Sequence, residues 1–116
     1  MNDYTFFKSG IEYLKVIHDD IMYLQSDHVY VHMQTVNCKI ILRASLPDVQ
    51  NKLPDNFIRV HQRYLVNKNH ISKINSESVF VGGEEFPLTQ KYKKDLMGQL
   101  DVFYGAQMGK VYELQG

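Results

Sequence analysis

The stretch that most constrains the fold of this chain is Phe57–Ile71, which reads FIRVHQRYLVNKNHI. Apolar residues alternate there with polar ones, and neighbouring side chains of a β-strand point to opposite faces of its sheet. Ile58 and Val60 are therefore expected on one face, with the polar residues between and after them on the other. These polar residues are Arg59, His61 and Arg63. Because unpaired charge is costly to bury, that face must lie either in water or against an anionic partner.

Short strands joined by turns are predicted along much of the chain. Tyr4–Lys8 and Tyr13–Ile17 are rich in β-forming residues and flank Ser9-Gly10, which predicts a first hairpin. Further along, residues 29–34 alternate between apolar and polar. A half-buried strand is expected there, with Val29 among its buried residues.

Two more features refine the strand prediction. The apolar centre of Lys39–Arg43 predicts a strand that is covered on both faces. Gly82-Gly83 can adopt the positive φ values of a primed turn, so we expect it to join Val79–Val81 to Glu84–Leu88 in a hairpin. Pro87 cannot donate a backbone hydrogen bond, which predicts an edge strand or a strand end.

Two short helices complete the predicted secondary structure. Ser45 can cap one that runs through Leu53, with Pro47 in its first turn. Thr89 can cap a second that runs to about Leu100, with apolar residues at four-residue intervals. The fold class is therefore mainly β with two short helices. We expect a single domain over residues 1–104 and a loosely ordered tail over residues 105–116.

Composition limits the environment of the protein. The chain has 116 residues, enough for one domain with its own core, and its single cysteine, Cys38, excludes an internal disulfide. No apolar run approaches the roughly 20 residues that a membrane-spanning helix needs. The first ten residues lack the apolar core of a signal peptide. We therefore expect a cytoplasmic protein without a membrane partner.

The motifs of common enzyme classes are missing from the sequence. It contains no nucleophile elbow, phosphate-binding loop or cluster of metal ligands. His28 and His32 suggest a metal site, but four residues along an extended strand span roughly 13 Å, too far to share one ion. The sequence therefore predicts no enzyme, no catalytic residue, no metal and no cofactor.

Charge is segregated along the chain. Thirteen Lys and Arg balance thirteen Asp and Glu, so the net charge is zero. Residues 57–100 hold seven of these cations and four of the anions, which leaves +3 on this part and −3 on the rest. The total argues against a generally basic nucleic-acid-binding protein, whereas the distribution supplies one basic part.

The start of the second predicted helix breaks an electrostatic rule. Helix N-termini carry a partial positive charge and free N–H groups, so acids are favoured there. This helix instead begins with Lys91, Lys93 and Lys94. Together with Thr89 and Gln90, the segment has the chemistry of a phosphate site. A solvated lysine face is the alternative interpretation.

The two basic segments together suit DNA. Cations bind backbone phosphates, while Arg and Gln side chains can form paired hydrogen bonds with guanine and adenine. The polar residues of 57–71 and the start of the second helix supply both kinds of side chain. DNA binding is therefore favoured. A non-enzymatic protein-interaction domain is the alternative, suggested by the zero net charge and the many tyrosines.

The order of these residues resembles a known family. The segments are, along the chain, Asp19-Asp20-Ile21-Met22-Tyr23-Leu24-Gln25-Ser26, Tyr30-Val31, Arg43-Ala44-Ser45-Leu46, Phe57-x-Arg59-Val60-His61-x-Arg63-Tyr64-x-Val66-Asn67-x-x-x-Ile71, Val79-x-Val81, Gly83 and Pro87-Leu88-Thr89-x-x-Tyr92. They are similar to the motifs of the LytTR DNA-binding domain, the output module of a class of bacterial response regulators. The resemblance extends over roughly residues 6–100, and residues 57–71 are its most specific part.

The resemblance implies about ten short strands in small antiparallel sheets, with two short helices. It also implies that loops, and not a recognition helix, enter the DNA grooves. Three loops would contact DNA, namely Asp27–Tyr30, His61–Arg63 and Thr89–Lys91. The expected DNA-binding residues are His28, Tyr30, Arg59, His61, Gln62, Arg63, Thr89, Gln90, Lys91 and Lys93. Gln62 and Arg63 are the favoured base contacts of the middle loop, whereas His61, Tyr64 and Asn67 are expected to shape it.

Three departures from the family pattern leave the target sequence open. His28-Val29 stand where the family commonly has Gly-Asn, Gln62-Arg63 where it has Arg-Ser, and Thr89-Gln90 where it has Ser-Arg. Each change alters an expected DNA contact.

For function, the resemblance implies sequence-specific binding of double-stranded promoter DNA, in tandem sites, to regulate transcription in a two-component system. The expected partners are a receiver domain and a sensor kinase, if the chain is part of a longer regulator. The domain itself would be a monomer or a DNA-dependent dimer.

Overall fold

The structure, a computed structural model, describes residues 3–105 together with Tyr112 and Leu114. Within this part it has ten strands and two α-helices. The strands are β1 (Tyr4–Ser9), β2 (Glu12–Ile17), β3 (Ile21–Asp27), β4 (Tyr30–Thr35), β5 (Lys39–Arg43), β6 (Phe57–His61), β7 (Tyr64–Asn67), β8 (Ile71–Ile74), β9 (Ser78–Val81) and β10 (Glu84–Pro87). The helices are α1 (Leu46–Gln50) and α2 (Gln90–Gly98). The predicted fold class is confirmed. Most of the predicted tail lies outside the described residues.

Three antiparallel sheets organise the described chain. The central sheet has five strands in the order β5-β4-β3-β7-β6. The β1–β2 hairpin forms a second sheet, and β10-β9-β8 form a third. The predicted first hairpin is therefore confirmed, with Tyr4 opposite Ile17 and Ser9 opposite Glu12.

The central sheet separates two hydrophobic clusters. The first lies between this sheet, the β1–β2 hairpin and α1, and the second lies between the sheet, β8–β10 and α2. Alternation along β3 shows the arrangement, since Leu24 packs in the first cluster and Tyr23 against the second. Ile58 and Val60 share the second cluster, as predicted.

Three predictions about individual strands are wrong. Val29 lies in the β3–β4 turn with 51% of its surface exposed, because β4 begins only at Tyr30. β5 is covered on one face, and Ile41 is 50% exposed, because the second cluster does not extend beneath this edge strand. The strand that begins at Phe57 ends at His61, so Arg63 lies in a turn and not on a strand face.

Local turn and cap predictions are mostly confirmed. Gly82 and Gly83 have φ values of 58° and 81° and join β9 to β10, an edge strand that ends at Pro87. The Ser45 hydroxyl accepts a hydrogen bond of 3.2 Å from the Asp48 N–H at the start of α1.

The ends of both helices differ from the prediction. α1 stops at Gln50, although Leu53, directly before Pro54, is still buried. α2 stops at Gly98. Thr89 occupies the N-cap position of α2, but its hydroxyl makes no capping hydrogen bond.

Asn67 joins three segments inside the protein. Its side chain is fully buried, and its Nδ2 donates to the Ile21 carbonyl at 2.9 Å. Its Oδ1 accepts from Asn56 Nδ2 at 2.8 Å and from the Asn69 N–H at 2.9 Å. All its hydrogen-bonding partners belong to the protein, so in this structure Asn67 shapes the fold and offers no free group to a ligand.

Candidate nucleic-acid interface

Two of the three predicted loops lie at the same edge of the central sheet. The β3–β4 turn, the β6–β7 turn and the last residue of β5, Arg43, meet there, because Tyr30 pairs with both Asp27 and Arg43 and His61 pairs with Tyr64. We call this the loop edge, and the other end of the same strands the opposite edge. Neighbouring strands are about 4.8 Å apart, so the loop edge spans roughly 19 Å from β5 to β6.

The β3–β4 turn presents an exposed histidine. His28 has a φ of 57°, in the left-handed region, and its side chain is 93% exposed. Its Nε2 lies 3.8 Å from one Asp27 carboxylate oxygen, and His32 Nε2 lies 3.4 Å from the other. The premise that both histidines belong to one extended strand is therefore wrong. Among the described residues, no group of three or more His, Cys, Asp or Glu could hold a metal ion.

The β6–β7 turn consists of Gln62 and Arg63, and both are exposed. The Arg63 carbonyl accepts a hydrogen bond of 3.0 Å from the Ser26 N–H, and the Arg63 guanidinium donates to the Ser26 carbonyl at 3.2 Å. These two bonds hold the β6–β7 turn beside the β3–β4 turn, while the Gln62 side chain is free to meet solvent or a ligand.

His61 supports the same turn from within. Its Nδ1 accepts a hydrogen bond of 3.0 Å from the Arg63 N–H, so the ring proton of the neutral imidazole is on Nε2. The ring also packs 5.4 Å from that of Tyr64. Both interactions fix the direction of the turn.

Arg59 connects the turn to α2. Its Nε donates to the His61 carbonyl at 3.1 Å, and its guanidinium also donates to the Gln62 carbonyl. The guanidinium carbon lies 6.0 Å from the ring centroid of Tyr92, at the limit of a cation–π contact. Arg59 is half-buried, and its charge is directed at these protein groups.

The start of α2 completes the row. The Thr89 N–H donates to the Val60 carbonyl at 2.9 Å, which places the beginning of the helix next to the β6 end of the loop edge. The first turn has no acidic residue, and Gln90 and Lys91 are exposed. Lys93 Nζ turns away to the Ser76 carbonyl at 3.4 Å.

The structure thus brings the three predicted loops together in one row. The order along the row is the β3–β4 turn, the β6–β7 turn and the start of α2. Sequence reasoning missed Arg43, which stands at the far end of the row. Its position as the last residue of a strand next to a predicted DNA-binding loop could have identified it.

Two groups with shifted pKa values lie away from this row. Burial lowers the pKa of His18 at the opposite edge, and the charge of Asp3 offsets part of that effect. Thr5 Oγ1 is hydrogen-bonded to the same imidazole at 2.7 Å. Burial in the second cluster raises the pKa of Tyr23, and the negative charge of Glu84 adds to the rise.

Comparison with known proteins identifies relatives of the chain. The family model described as the LytTr DNA-binding domain matches residues 12–101. The sensory transduction protein LytT of Bacillus subtilis (strain 168) is 30% identical over a 90-residue alignment, which covers 72% of this chain and 37% of LytT. A solved LytTr DNA-binding domain from Bacillus cereus has a TM-score of 0.68 at 25% identity, covering 84% of this chain and 99% of that domain. The chain therefore spans little more than a third of the length of LytT. No helix in the described part is long and apolar enough to cross a membrane.

Proposed function

The chain belongs to the LytTR family of DNA-binding domains, and from this premise we propose that it binds specific double-stranded DNA sequences through the loop edge and the start of α2 to regulate transcription. The observation that carries this proposal is the single row formed by the β3–β4 turn, the β6–β7 turn and α2. Between them, these three elements present exposed amide, imidazole and cationic side chains. This combination suits base edges and phosphates together.

Each element contributes its own kind of contact. In the middle of the row, Gln62 and Arg63 contact base edges, because amide and guanidinium groups match adenine and guanine in paired hydrogen bonds. Gln90 has the same chemistry at the start of α2. Lys91 binds a phosphate together with the free N–H groups of the first helical turn.

The first turn and the supporting residues complete the assignment. His28 and Tyr30 contact the DNA at the β3–β4 turn, where both side chains are exposed. Thr89 and Lys93 flank the α2 contact. Arg59 and His61 act on DNA chiefly through the β6–β7 turn, since the Arg59 guanidinium and the His61 Nδ1 are hydrogen-bonded to that turn.

The wider role follows from the relatives. LytT is named a sensory transduction protein, and the solved domain is described as part of a DNA response regulator. We therefore infer an output module in a bacterial two-component system, acting in the cytoplasm. A receiver domain and a sensor kinase control it, and two copies occupy tandem promoter sites as a DNA-dependent dimer.

Selection from a random-sequence duplex pool across a salt series tests this function. A protein that contacts bases enriches particular sequences, and its affinity falls steeply with salt because bound phosphates release counterions. Enrichment and a steep salt dependence are expected. Absence of enrichment together with a flat salt dependence would refute DNA recognition and favour the protein-interaction alternative.

Matched variants assign the contacts. Gln62→Ala and Gln90→Ala should change the enriched sequence, whereas Lys91→Ala should weaken all duplexes alike. Lys39→Ala is the control, because Lys39 is an exposed lysine at the opposite edge. The assignment of base contacts is wrong if the two glutamine variants behave like Lys91→Ala.

A further inference from the structure

The row of proposed DNA contacts continues past the β3–β4 turn. Arg43 is the last residue of β5, it is exposed, and it is directly paired with Tyr30. β5 is the edge strand of the central sheet, on the side remote from α2. Arg43 therefore stands at one end of the loop edge, one strand spacing, or about 4.8 Å, beyond the strand that carries Tyr30.

The β1–β2 hairpin adds a second cation at the same place. Lys8 and Arg43 line one groove of about 340 Å³ between β1, the end of β5 and α1. Lys15, on the other strand of the hairpin, instead lines a cavity with Asn37 and Cys38 at the opposite edge. The tip of the hairpin is thus directed toward the loop edge, which brings Lys8 into line with Arg43.

The charge of this groove is not neutralised inside the protein. Lys8, Arg43 and Lys52 line it, against one acid, Asp48. Throughout the described residues no lysine or arginine nitrogen lies within 4.0 Å of a carboxylate oxygen, since the ion pairs found there involve only histidines. An arginine in such a setting has its full fork of donors available for a phosphate.

We propose that the DNA contact extends onto this groove, where Arg43 and Lys8 bind backbone phosphates of the same duplex, next to the bases contacted by the β3–β4 turn. The proposal rests on the proposed function of the loop edge. It adds a contact that the three loops do not include. Lys8 precedes the family match at residues 12–101.

A salt titration with matched variants tests the proposal. Binding of labelled duplex by fluorescence anisotropy is followed from 50 to 200 mM salt for the wild-type chain, Arg43→Gln and Lys39→Gln. Each lost phosphate contact reduces the slope of log K against log salt by about 0.9. The fold-decrease in affinity between the lowest and the highest salt concentration then becomes about 3.5 times smaller. Arg43→Gln should show this change. Lys39→Gln removes the same charge from the other end of the same strand and should not.

A second pair of variants covers the hairpin. Lys8→Gln should lower the slope by a similar amount, and Lys15→Gln should leave it unchanged. Both lysines lie over tyrosine rings of this hairpin, Lys8 over Tyr13 at 5.8 Å and Lys15 over Tyr4 at 4.5 Å, so the two substitutions disturb similar contacts. Arg43→Lys should keep the wild-type slope, because it retains the charge. Thermal unfolding by circular dichroism verifies that each variant is folded.

The possible outcomes separate the two proposals. If the wild-type chain enriches a sequence but Arg43→Gln and Lys8→Gln keep its slope, the groove does not bind phosphate and this inference is overturned. If Arg43→Gln instead changes the enriched sequence, Arg43 contacts a base, which also overturns it. If the wild-type chain itself shows neither enrichment nor salt dependence, the proposed function has failed.

Discussion

Replacing Arg59 by methionine should destabilise the protein although the residue is partly exposed. Its guanidinium holds the His61 and Gln62 carbonyls and lies 6.0 Å from the Tyr92 ring. Hydrogen bonds from a charged donor contribute about 1.5–3 kcal/mol each when buried. At this half-buried site water can replace these hydrogen bonds in part, which lowers their contribution. The cation–π contact adds about 0.5 kcal/mol. We expect a total loss of about 2 kcal/mol.

Urea and thermal unfolding measure this loss. For a domain of about 100 residues, 2 kcal/mol corresponds to a decrease in Tm of roughly 10 °C. Arg43→Met is the matched control, because Arg43 is exposed and makes no side-chain hydrogen bond among the described residues. That variant should stay within about 0.5 kcal/mol of the wild type. If the two methionine variants are equally stable, Arg59 does not hold the β6–β7 turn and the reasoning is refuted.

DNA binding distinguishes positioning by Arg59 from direct contact. If Arg59 acts through the turn, Arg59→Met lowers affinity without changing the slope of log K against log salt. A direct phosphate contact would instead reduce that slope by about 0.9. Arg59→Lys separates the two roles again. Lysine keeps the charge, so a direct phosphate contact would survive, but it cannot reproduce the planar fork that reaches both carbonyls, so the support of the turn would be lost.

Three further predictions concern stability. His28→Val should lower the free energy of unfolding by about 1–2 kcal/mol relative to His28→Gly, since a β-branched residue is strained at a φ of 57°; chemical denaturation of the two variants measures the difference. Asn67→Ala should cost about 2–3 kcal/mol, because it leaves the buried Ile21 carbonyl unpaired and removes two partly buried hydrogen bonds, to Asn56 and to the Asn69 N–H; a cost below about 1 kcal/mol in urea would contradict this. Burial lowers the pKa of folded His18 below its ordinary 6.5, so as the pH falls below 6.5 the unfolded chain takes up this proton first and stability declines. His18→Gln should flatten this part of the stability–pH curve.

Features that depend on neighbours in sequence could be predicted, and features that depend on sheet order could not. The Gly82-Gly83 turn and the Ser45 cap follow from backbone preferences and one short hydrogen bond. The exposure of Ile41 depends on how far the second cluster extends beneath the central sheet, which periodicity does not contain. Likewise, Arg59 is basic in any sequence reading, but the carbonyls that bind it become its neighbours only when the β6–β7 turn forms. The position of Arg43 beside Tyr30, in contrast, could have been inferred, because Arg43 ends a predicted strand that a short turn joins to the strand containing Tyr30.

The zero net charge does not weaken the DNA proposal, because the charges are separated along the strands. At the loop edge and the adjoining helix, the exposed cations Arg43, Arg63 and Lys91 outnumber the partly exposed Asp27. At the opposite edge Asp3, Asp19, Asp20 and Asp55 outnumber Lys15, Lys39 and Lys68. The seven residues of β3 separate the two edges by roughly 20 Å, more than twice the Debye length of about 8 Å at physiological ionic strength. A duplex at the loop edge is therefore attracted by the nearby cations, while the distant acids are screened and act mainly to orient the domain as it approaches.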